Sequence, residues 1–208
     1  MDGRNYLKQI SAEARPAPKS RKGLLKSPFF IVGLVGVLLI MLVIIIGSSI
    51  GDGAESLDTQ SVRLKFHIDG TLAVITEYQP NVKSSALRSS SASLASVLSN
   101  TSRDLTSYLT NTYGYDSNKD DSKKYATVAE DSKLAQDALE SDLFEAKITG
   151  VLDRVYAMKM AYEITQLAAE ESTLYNETKD ENLQTIITTS YNSLENLYDK
   201  FNDFSGAK

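Results

Sequence analysis

The sequence predicts an all-α protein: a single N-terminal transmembrane helix followed by an extracytoplasmic antiparallel bundle of four to five helices. Three observations predict it. An apolar run without charge occupies residues 28–50. Beyond it, apolar side chains recur at alternating four- and three-residue spacing, the period of one face of a helix. The 208 residues include no cysteine, so an outer domain must be held by an apolar core rather than by disulfides.

Residues 1–27 read as a cytoplasmic leader. They carry Arg4, Lys8, Arg15, Lys19, Arg21, Lys22 and Lys26 against Asp2 and Glu13, a net charge of +5. Pro, Ser and charge in "RPAPKSRKG" leave little to bury, so the leader is expected to be disordered. Phe29 to Ile46 is eighteen residues with no hydrogen-bonding side chain. At about 1.5 Å per residue, the whole apolar stretch spans a hydrocarbon core of about 30 Å. A signal peptide would have an apolar region of only about 7–15 residues and a small-residue cleavage site, so the segment reads as a retained anchor. The whole chain has a net charge of −5, which leaves −10 for the part after the leader. The positive-inside rule then places the N-terminus in the cytoplasm and the C-terminal part outside it. The first expected partner is therefore the lipid bilayer, met through residues 28–50.

Residues 51–56 continue a Gly- and Ser-rich linker, and residues 57–204 are expected to form the bundle. Its first segment, "SVRLKFHIDGTLAVITEY", reads two ways. With period two, Val62, Leu64, Phe66 and Ile68 lead through Asp69-Gly70 into Leu72 and Val74, a hairpin. With helical spacing, Leu57, Leu64, Ile68, Leu72 and Ile75 form a stripe, capped by Ser56 and ended beyond Pro80. An isolated hairpin has no sheet to join here, so helix is the favoured reading.

The second helix lies within Lys83 to Thr112, with Leu87, Ser91, Leu94, Leu98, Thr101, Leu105, Tyr108 and Thr112 on one face and Gly114 at its C-cap. Its Ser- and Ala-rich run, Ser84 to Ser102, suggests a seam that a neighbouring helix approaches closely. After a polar loop, a third helix is expected from about Lys123 to Leu139. A fourth is expected to start near Asp142, with Glu145 completing a capping box, although the chain could also continue helically through that point. Its stripe is Phe144, Ile148, Val151, Val155, Met158, Tyr162, Thr165 and Ala169, with Gly150 inside it at a cost of about 1 kcal/mol. Thr178 and Glu181 suggest a second capping box, behind which Leu183, Ile187, Ser190, Leu194, Leu197 and Phe201 line a last helix.

Chemistry-bearing patterns are sparse. A ferritin-like di-iron site needs Glu-x-x-His on two helices. The chain has one histidine, His67, preceded three residues earlier by Leu64, so a metal role is not expected and His67 reads as an exposed or partly packed ring. Without cysteine, and with a single histidine, no serine has an evident base. Glu163, Glu170 and Glu171 read as a solvated helix face rather than an acid–base pair. The eleven tyrosines read as fillers of bundle edges whose hydroxyls reach water, a recognition surface being the rival reading. The acidic balance, with no basic stripe, argues against nucleic acid as a partner. Two glycosylation sequons, at Asn100 and Asn176, are too short to assign a context. No catalytic, cofactor-binding or metal-binding residue is assigned.

The basic start "KGLLKSPFFIVGLVGVLLIMLVIIIG" is followed by "SLASVLSNTSRDLTSYLTNTYG" and "ALESDLFEAKITGVLDRVYAMKMAYEITQLA". This layout resembles uncharacterised single-span membrane proteins of reduced-genome, candidate-phylum bacteria. Their outer part is similar in pattern to a domain-of-unknown-function family of periplasmic ferritin-like helical bundles. The resemblance runs from Lys22 to Phe201 and is carried by Leu105, Tyr108, Leu109 and Gly114, and by Leu143, Phe144 and Glu145. It implies a bundle exposed outside the cytoplasm and supplies no catalytic residues. A histidine common in the family's second helix is absent from this chain. The expected function is accordingly an interaction or structural module of the cell envelope, partnered by another envelope protein or by itself. A ligand-binding or sensor domain is the alternative, and an envelope enzyme stands behind both.

Overall fold

The computed structural model describes residues 55–116 and 124–206. The expectations for the leader, the apolar run at 28–50 and most of the linker lie outside the described residues. Among the described residues, no helix is long and apolar enough to cross a membrane.

Five α-helices and no strands make up the described part: α1 (Leu57–Tyr78), α2 (Ser85–Tyr113), α3 (Ala126–Ile148), α4 (Leu152–Glu177) and α5 (Glu181–Gly206). The segment with two readings is thus one unbroken helix, in which Gly70 is an interior residue rather than part of a hairpin turn. Helices α1, α2, α5 and α4 pack as a ring, each against the next, and α3 lies outside it against α1 and α4. Short connections reverse the chain from α1 to α2 and from α4 to α5, so the architecture is an antiparallel four-helix bundle with a fifth helix on one edge.

The apolar stripes explain the ring. On α5, Leu183, Ile187, Leu194, Leu197 and Phe201 are buried together with Ser190. On α2, the buried face runs through Leu87, Ser91, Leu94, Leu98, Thr101, Leu105 and Tyr108, while most of the intervening serines face solvent. The α2 seam is therefore chiefly leucine, not Ser and Ala as the composition of the run suggested. Gly114 closes α2 in the left-handed conformation (φ 69°), its N–H donating to Thr110 O at 3.1 Å.

Of the two readings at Asp142, a new helix start or a continuous helix, the structure takes the second. Helix α3 continues through Asp142, whose carboxylate pairs with Lys159 of α4 instead of capping a helix. The break falls at Thr149 to Val151, where Gly150 takes φ 78° and the Val151 N–H donates to Ala146 O at 2.9 Å. A left-handed residue suits glycine, so Gly150 ends a helix here rather than weakening the interior of one. The shift of boundary also overturns the expected fourth-helix stripe. Phe144, Ile148, Val151, Met158 and Tyr162 are exposed, whereas Leu139, Leu143 and Ala146 of α3 and Leu152, Tyr156, Met160, Ile164, Leu167 and Leu174 of α4 face the core. At the last helix the cap is Asp180, not Thr178: Asp180 Oδ1 accepts from the N–H groups of Asn182 and Leu183 at 2.8 and 3.2 Å.

Candidate functional site

Glu163 and Glu170 stand seven residues apart on α4, two turns along one face, and that face meets α1 at His67. The imidazole lies between them. Nε2 is 2.8 Å from Glu163 Oε2, and Nδ1 is 2.9 Å from Glu170 Oε1. Burial alone would lower the pKa of His67, but hydrogen bonds to Glu163 and Glu170, reinforced by their charges, raise it to about 10. The ring is therefore an imidazolium at neutral pH and donates from both nitrogens. It leaves no lone pair to act as base or metal ligand, and its chemistry is that of a charged clamp between α1 and α4. Two of the three glutamates expected on a solvated face are thus drawn into an ion-pair cluster with a histidine about a hundred residues away.

The third departs further from expectation. Glu171 occupies the core face of α4 and is fully buried, and among the described residues neither carboxylate oxygen has a hydrogen-bond partner. Burial pushes its pKa up to about 8; the Ser190 hydroxyl of α5 opposes that rise and the Glu170 charge adds to it. At neutral pH Glu171 is a carboxylic acid inside the bundle.

Two further features flank these. Beside His67 and Glu163, a void of about 20 Å³ is lined by Thr71 and Gln136, and Thr71 Oγ1 is buried without a partner. At the start of α3, Lys124 and Tyr125 meet Asp58 of α1, with the Tyr125 hydroxyl donating at 3.0 Å. Burial alone would raise the Asp58 carboxyl, but the hydrogen bonds from Lys124, Ser56 and Tyr125 hold it well below the usual carboxylate range. Among the described residues, no group of three or more His, Asp and Glu is arranged to hold a metal ion.

The tyrosines divide. Tyr113, Tyr162, Tyr175 and Tyr191 stand at exposed edges as expected, but Tyr108, Tyr115 and Tyr156 are core residues, and the Tyr156 hydroxyl is buried with no partner among the described residues.

A larger concavity, about 400 Å³, opens between the α1–α2 and α3–α4 connections. Lys83, Lys147 and Arg154 border it, with Val151 and Leu152 as its apolar wall. No spacing in the sequence marks it, because its residues come together only when the two connections meet at one end of the bundle.

No protein-family model, curated protein or solved structure matches this chain.

Proposed function

We propose that the chain is a membrane-anchored helical-bundle protein that serves the cell envelope as an interaction module. Residues 28–50 would hold it in the bilayer, with the basic leader in the cytoplasm and the acidic bundle outside; the length of the apolar run and the charge asymmetry support this topology. The observation that carries the reading is the set of large apolar side chains left in solvent along consecutive elements: Phe144 and Ile148 at the end of α3, Val151 in the turn, and Met158 and Tyr162 on α4. Scattered exposed apolar residues are ordinary, but five within nineteen positions are concentrated as at a contact surface. Placing a photo-crosslinking residue at Ile148 or Met158 in cells is expected to capture a defined protein, another envelope component or a second copy. The same residue at Asn192 or Asn196, exposed on α5, is expected to capture none. Capture of lipid alone, or equal capture from both faces, would defeat the proposal.

A ligand-binding reading draws support from the 400 Å³ concavity, whose size lies in the range of small-molecule sites. Thermal stabilisation of the full chain by a small molecule would favour it over the first.

A further inference from the structure

The concavity at the end of the bundle differs in charge from the rest of the molecule. Everything after the leader sums to −10, yet three cations, Lys83, Lys147 and Arg154, line this one depression. Among the described residues, none of the three forms an ion pair, unlike Arg63, Lys65, Lys124 and Lys159; Lys133 and Lys179, also unpaired, stand singly rather than grouped in a depression. Among the described residues of the lining, Asp153 is the one carboxylate, and both of its oxygens are held by the chain itself. Its two oxygens accept the backbone N–H groups of Lys83 at 2.9 Å and Ser84 at 2.8 Å, tying the start of α4 to the start of α2. Three cations against one carboxylate leave the lining with a net positive charge, beside an apolar wall made by Val151 and Leu152.

We propose that this concavity docks an acidic segment of a partner polypeptide, its carboxylates meeting Lys83, Lys147 and Arg154 and an adjacent aliphatic side chain resting on Val151 and Leu152. The inference rests on the reading of the bundle as an interaction module and adds the chemistry of the partner. Charge complementarity selects an acidic occupant. Half-exposed Val151 makes aliphatic contact part of the fit, so a peptide chain carrying an apolar side chain beside its carboxylates fits better than a lone anion.

The test uses the full chain in nanodiscs of zwitterionic lipid and a fluorescent peptide of alternating Glu and Leu, with Gln–Leu and Lys–Leu peptides as controls. Binding of the Glu–Leu peptide is expected, weakening with salt and falling roughly tenfold or more in Lys147→Glu with Arg154→Glu. Both side chains are exposed and unpaired, so this variant is expected to keep the wild-type melting temperature. Lys133→Glu with Lys179→Glu changes the net charge equally, away from the concavity, and is expected to keep the affinity. No binding by the wild-type chain, equal loss in both double variants, equal binding of the Gln–Leu peptide, or full displacement by free glutamate would overturn the proposal. If cellular crosslinks from Ile148 survive unchanged in Lys147→Glu with Arg154→Glu, this inference fails while the interaction reading stands.

Discussion

Helix α4 has two seams, and they treat acidic residues in opposite ways. Toward α1 it presents Glu163 and Glu170, each hydrogen-bonded to one nitrogen of His67. Toward α5 it presents Glu171, fully buried with both oxygens partnerless. The same side chain on the same helix thus stabilises one seam and weakens the other, and the group opposite decides which. A cationic donor with two N–H groups offsets the loss of water for two carboxylates, whereas one serine hydroxyl offsets little for a single one.

Removing the donor from the polar seam carries the largest expected effect. His67→Ala leaves Glu163 and Glu170 facing each other without a cation, at an expected cost of about 3 kcal/mol at pH 7, measured by urea unfolding of the full chain. The fold holds the His67 proton more tightly than the unfolded chain does. Its contribution is therefore complete below the unfolded value of 6.5 and is lost as pH rises through about 10. The gap between wild type and variant should close at strongly alkaline pH. A gap that stayed constant would show that the ring works by packing alone.

Neutralising the other seam should act with the opposite sign. A carboxyl raised from 4.5 to about 8 costs the fold nothing below 4.5, and its cost grows with pH until it levels off above about 8. Glu171→Gln is therefore expected to stabilise the protein by up to about 3 kcal/mol at pH 7, less whatever the buried amide costs, and to leave it nearly unchanged at pH 4. The two seams together make wild-type stability decline steadily with alkalinity. Asp58, held below its ordinary 3.8, adds stability above that value and loses it in stronger acid. An absence of gain in Glu171→Gln at pH 7 would mean that the carboxyl finds a donor, and the contrast between the seams would collapse.

That contrast was only partly legible in the sequence. The α5 stripe and the leucines of α2 were, because a single apolar face buried against the ring imposes the four-and-three period directly. The boundary between α3 and α4 was not. Phe144, Ile148, Val151, Val155, Met158 and Tyr162 continue that period across the break by coincidence, and Asp142 with Glu145 imitates a cap, while Gly150 fits an interior glycine as well as a left-handed stop. The clamp escaped for another reason. His67 and its carboxylates are about a hundred residues apart, so no local pattern joins them. The available signal was the seven-residue spacing of Glu163 and Glu170, which puts both on one face toward a neighbouring helix. Glu171 is the position where the helical period itself carried information: it continues the core row through Ile164, Leu167 and Leu174, so polarity argued for solvent while spacing argued for burial.

The smallest expected effect tests how far Ser190 serves the apolar seam. Along these helices, hydroxyls usually turn back to the carbonyl four residues earlier, as Ser61 does to Leu57 O at 2.7 Å and Ser91 to Leu87 O at 2.8 Å. Ser190 makes no such bond although it is buried, and it lies beside Glu171. Its hydroxyl therefore favours the ionised carboxylate, though without reaching hydrogen-bond geometry. In Ser190→Ala that influence disappears, so the Glu171 midpoint, followed by the carbon-13 shift of its carboxyl, is expected to rise above about 8. Stability at pH 4 should change by less than about 1 kcal/mol, because alanine replaces a hydroxyl that has no partner to lose. An unmoved midpoint would mean that in solution Ser190 turns to its own helix. Glu171 would then be held neutral by burial and the Glu170 charge alone, and the two seams would differ still more.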